Sequence, residues 1–81
     1  MQPQQEEWDE IHGFESPGEF ERFRRWLAEA VAEGALEEVV VEAPFSASVL
    51  VDERWYRTAG GRRWRVVAPD PPFLGVFERV P

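Results

Sequence analysis

Apolar residues recur at helical spacing from Phe20 onward. Phe20, Phe23, Leu27, Ala30 and Val31 share one stripe with Trp26 on its flank, while Glu21, Arg22, Arg25, Glu29 and Glu33 face away. Ser16, Pro17 and Glu19 mark the start: a hydroxyl cap, a proline at the first helical position and a glutamate three residues after the cap. Gly34 offers a left-handed stop, so the pattern predicts a helix over residues 17–33, with Glu21 and Arg25 as an i, i+4 pair.

Beyond Gly34 the period changes to two. Val39 and Val41 alternate with Glu38, Val40 and Glu42 until Pro44 halts pairing, which predicts a strand. Residues 49–58 and 62–68 are two more β-rich runs around Ala59-Gly60-Gly61. A two-residue Gly60-Gly61 turn sets Arg57 opposite Trp64 and Trp55 opposite Val66. That register gathers Trp55, Trp64 and Val66 on one face and Arg54, Tyr56, Arg63, Arg65 and Val67 on the other; a one-residue slip would bury three arginines. Pro69-Asp70-Pro71-Pro72 lacks the donors of a ladder and reads as a stiff crossing loop before a last strand over 74–80. Residues 8–14 read as an extended segment pinned by Trp8, Ile11 and Phe14, and residues 1–7 as a flexible tail. The expected architecture is a single α+β domain over 8–81, one amphipathic helix on a mostly antiparallel sheet of three or four strands.

Composition narrows the function. Eighty-one residues without cysteine exclude a large enzyme, disulfides, thiolate catalysis and cysteine-based metal sites. All nine basic residues are arginine, and lysine and asparagine are missing, a signature of GC-rich coding that fits a bacterial, heat-adapted source. Net charge is -7 and pI near 4.6, against the basic footprint that generic nucleic-acid or anionic-membrane binding needs. With an acidic N-terminus and no long apolar run, the chain reads as cytoplasmic.

The single histidine, His12, and the hydroxyls of Ser46 and Ser48 form no catalytic motif with Asp52, and Asp9, His12 and Glu15 lack an enforced metal geometry; no catalysis, cofactor or metal is expected. Charge layout is more informative. Residues 1–53 carry fourteen acids and three arginines, a net of -11, whereas residues 54–81 carry six arginines and two acids, a net of +4. Arg54, Arg57, Arg62, Arg63 and Arg65 with Trp55, Tyr56 and Trp64 have the mix that grips phosphates and stacks bases on a β surface. The same arginines can instead pair with Glu37, Glu38, Glu42 or Glu53 on neighbouring strands. A Glu-rich surface, with Glu38 and Glu42 as representatives, suits docking on a basic protein.

The run WYRTAGGRRWRVV (residues 55–67), followed by a proline-bearing loop and Gly75, resembles the C-terminal part of one group of bacterial immunity proteins from polymorphic toxin systems. Tyr56, Arg57, Gly61, Trp64, Pro69 and Gly75 are the corresponding positions. The resemblance implies a small α+β protein that neutralises a cognate toxin by binding it. The resulting expectation is a non-catalytic acidic binding protein for a basic protein partner, with a single-stranded nucleic-acid-binding hairpin or a purely structural protein as alternatives. Exposed sheet edges leave both monomer and homodimer open.

Overall fold

The computed structural model describes residues 8–45 and 52–81, so the tail over 1–7 and Ser46 and Ser48 lie outside the described residues. Helix α1 (Pro17–Ala32) starts where the capping residues require. Ser16 accepts the Glu19 amide at 3.1 Å, while Glu19 accepts the amide of Glu15 rather than that of the cap residue itself. Glu33 caps the C-terminus and Gly34 turns at φ +82°. Glu21 pairs with Arg24 at 2.9 Å, one residue short of the expected Arg25.

Four strands follow: β1 (Glu37–Val39), β2 (Glu53–Arg57), β3 (Arg63–Val67) and β4 (Val76–Arg79), paired antiparallel in chain order. The α+β expectation holds, with four strands. β1 is shorter than the valine pattern implied. After Val39 the chain leaves the ladder, Val40 is 78% exposed, and Glu42 reaches back to the opposite face of the sheet. The extended segment before the helix is confirmed: Ile11 exchanges two backbone hydrogen bonds of 2.8 Å with Phe77, and the Phe14 amide donates to Leu74 at 2.8 Å.

The hairpin register differs from expectation by one residue. Tyr56 faces Trp64, Trp55 faces Arg65, and Arg57 faces Arg63. The cause is the turn: the Gly61 amide donates to Thr58 and the Thr58 amide to Arg62, so residues 59–61 form a three-residue loop. Gly61 takes the left-handed position at φ +93°, the geometry of a bulged turn, and Gly60 stays at negative φ.

This register divides the aromatics between two layers. On the helix side Tyr56, Trp64, Val66 and Phe77 pack with Phe14, Leu27, Ala30 and Leu36, and Trp8, Phe20, Phe23 and Trp26 close the margins. Trp64 stacks on Phe77 at 4.6 Å, and Phe23 meets the same ring at 4.9 Å. The far side buries Trp55, Val67 and Val76. Gly75 lets β4 begin there: a Cβ on it would lie 3.0 Å from both the Phe14 ring and the Val67 carbonyl oxygen.

Candidate interaction surfaces

On the far face, alternation along β2 and β3 brings Glu53, Trp55, Arg63 and Arg65 together, and Glu78 of β4 joins them. Arg65, 14% exposed, places Nε 3.1 Å from Glu78 and Nη1 4.0 Å from Glu53. The Glu53 carboxylate also accepts the Trp55 indole N–H and the Phe45 amide, each at 2.8 Å. The Arg65 guanidinium lies 5.2 Å from the Phe45 ring and 5.9 Å from that of Trp55, and Arg63 lies 5.5 Å from the latter. Arg63 binds Glu42 at 2.8 Å and Arg57 binds Glu37 at 2.8 Å. Burying Arg65 is the cost that this register carries, and two carboxylates with two aromatic faces offset it.

The helix side holds the remaining sequence-selected residues. A cleft of about 340 Å³ opens between α1 and the sheet, with Phe20, Leu27, Val31 and Val66 on its walls and Glu38, Asp52 and Arg54 among its polar groups. Arg54 lies 3.5 Å from Asp52 and 3.9 Å from Glu38, and these two carboxylates hold its guanidinium charged beyond the ordinary arginine range. Tyr56 is buried on the inner wall. Burial, and then the negative charge of Glu38, pushes its phenol above the usual tyrosine value, with Arg54 partly opposing.

The residues selected from sequence therefore form two groups. Arg54, Tyr56 and Glu38 belong to the helix side, and Arg57, Arg63, Arg65 and Glu42 to the far side. The expected single face of Arg54, Tyr56, Arg63 and Arg65 does not exist, because the three-residue turn moves each β2 residue by one position against β3. Tyr56 is a core residue rather than an exposed stacking platform. Glu38 and Glu42 also separate, since the chain leaves the sheet between them. Sequence reading passed over Arg24 as a wall of the cleft and Glu78 as the partner of Arg65. The clue to Glu78 was its alternation with Phe77 in the last strand.

A second groove of about 340 Å³, lined by Phe14, Phe20, Pro69, Pro71, Phe73 and Leu74 among others, lies beside the start of α1. His12 sits 3.6 Å from Glu78 and 3.7 Å from Glu10, and among the described residues no three metal-binding side chains gather at one point. No helix among these residues is long and apolar enough to cross a membrane. No protein-family model, curated protein or solved structure matches the chain.

Proposed function

We propose that this is a binding protein without chemistry of its own, which engages a basic protein partner as immunity-type inhibitors do. The observation that carries the reading is the pairing of the hairpin cations. Arg54, Arg57, Arg63 and Arg65 each lie against at least one carboxylate of the same chain, so a phosphate backbone would have to displace those partners. By contrast Asp9, Glu15, Glu29, Glu33 and Asp70 make no ion pair among the described residues, set against Arg22 and Arg25 on the helix. Among the described residues the unpaired charge is thus predominantly acidic, in keeping with the net charge of -7, and acidic excess accelerates encounter with a basic protein and selects against an acidic one.

Affinity capture with the tagged protein from extract of its source cells, with and without nuclease, tests this. A stoichiometric basic protein that survives nuclease and is released as salt rises towards about 0.5 M is the expected result. Nucleic acid that co-elutes and vanishes with nuclease would overturn the reading in favour of the hairpin arginines.

A further inference from the structure

The two edges of the sheet are finished differently. At β4, the outward amide and carbonyl of Phe77 are taken up by Ile11, and the Arg79 amide donates to the Glu10 carboxylate at 3.0 Å. At β1 the hydrogen-bond parity can be followed across the sheet. Thr58 donates to Arg62 and Ala68 donates to Asp52, so the even-numbered residues of β2 direct their backbone groups towards β3. The odd-numbered Arg57 and Trp55 therefore turn towards β1, opposite Glu37 and Val39. Glu38, between them, directs its N–H and C=O away from the sheet. Among the described residues nothing bonds to that edge.

The surroundings of this edge define an occupant. The Glu37 and Glu42 side chains are 68% and 67% exposed, and Val40 stands beside them at 78%. The arginine partners of Glu37 and Glu38 sit on β2, inboard of the edge, so carboxylates are the first charges that an incoming strand meets. Glu38 also lines the cleft between α1 and the sheet, whose apolar walls include Leu27, Val31 and Val66. A strand added to β1 would present alternate side chains to that cleft.

We propose that the β1 edge takes up an extended segment of a basic protein partner as a fifth strand. Backbone bonds at Glu38 would give affinity, an aliphatic side chain would enter the cleft, and lysine or arginine would lie beside Glu37. This rests on the reading of the protein as a binder of a basic partner and names where that partner engages. A second copy fits less well: antiparallel self-pairing centred on Val40 sets Glu38 opposite Glu42 twice, pairing centred on Glu38 sets it opposite itself, and pairing centred on Val39, which opposes no two glutamates, still gathers the exposed Glu37 and Glu38 carboxylates of both copies at one edge.

The test is a titration of the ¹⁵N-labelled protein with a capped six-residue peptide of alternating lysine and valine, followed by amide shifts and hydrogen exchange. Saturable shifts at Glu38 and Val40, with exchange at Glu38 slowed by about tenfold or more, are expected. Glu38→Pro removes an outward-facing donor that the ladder does not use, so it should keep the fold and weaken peptide binding by about tenfold or more. Shifts confined to the helix or hairpin tip, or no shift at millimolar peptide, overturn the proposal without requiring any variant. Protection of Glu38 without peptide, accompanied by concentration-dependent dimerisation, overturns the assignment to a foreign partner. Failure here and failure of the broader reading are distinguishable. A captured basic protein that binds Glu38→Pro as tightly as the parent refutes the edge alone; edge protection by the peptide with no basic protein captured refutes the broader reading alone.

Discussion

Replacing Glu53 by alanine tests whether the far face of the sheet is held by a single carboxylate. Its side chain is 8% exposed and receives the Trp55 indole N–H and the Phe45 amide, with Arg65 4.0 Å away. In Glu53→Ala the indole N–H of Trp55, itself 2% exposed, loses its acceptor, which costs about 1–3 kcal/mol. The amide of exposed Phe45 can turn to water and adds roughly 0.5–1 kcal/mol. Arg65 retains Glu78 at 3.1 Å, so its share is small. The sum is about 2–4 kcal/mol, a large fraction of the roughly 4–12 kcal/mol expected for a domain of this size. Glu53→Gln keeps one acceptor oxygen and should lose only about 1–2 kcal/mol. Urea unfolding followed by tryptophan fluorescence measures both, and an alanine variant within about 0.5 kcal/mol of the parent would refute the assignment.

Other expectations follow from individual residues. Gly75→Ala combines φ +86° with contacts of 3.0 Å to backbone and ring and should destabilise by about 3 kcal/mol, whereas Gly34→Ala, at φ +82° with open space around it, should cost about 1 kcal/mol; thermal melts rank them. Tyr56 is the one tyrosine, so ultraviolet absorbance on alkaline titration reads it alone. Its midpoint should lie above the ordinary 10.0 when folded and return there in denaturant. The stabilisation from the neutral phenol is full below pH 10.0 and is lost as pH rises through the folded midpoint. Glu10 shows the opposite sign. The Arg79 amide, aided by its guanidinium, holds the Glu10 carboxyl below the ordinary 4.5, so its contribution is present above that value and lost on further acidification. Glu10→Gln should flatten the acid limb of a stability-against-pH curve.

The helix was legible because Ser16, Pro17, Glu19 and Gly34 each act through local geometry; Ser16, Pro17 and Gly34 serve as their chemistry requires, and Glu19 takes the amide of Glu15 in place of that of the cap. The hairpin register was not. A Gly-Gly pair suits a two-residue or a three-residue loop, and the difference lies in which glycine takes positive φ. The hydroxyl of Thr58, which accepts the Arg62 amide at 3.1 Å, was the local hint of the longer loop. Alternation could not decide the matter, because Trp55 and Tyr56 are adjacent and the sheet buries both, one in each layer. Among the charges, the preference of arginines for neighbouring glutamates was visible in sequence. The choice of Glu78 for Arg65 depends on β4 lying beside β3, a tertiary fact.

The pairing of Ile11 with Phe77 also bears on the order in which the molecule assembles. Each strand of the meander meets its neighbour in chain order, while Glu10 and Arg79 are 69 positions apart. Closing so long a loop carries an entropic penalty that nearby contacts do not, although the penalty grows slowly with length. During synthesis the segment that covers β4 emerges early and has no partner until the final strand is made. For that interval Trp8, Ile11 and Phe14 are an exposed apolar stretch, and the β4 edge of a freshly formed sheet is open in turn. Truncations that remove residues 8–14 should therefore do more than shorten the protein: they would leave a second sheet edge permanently available for association between chains.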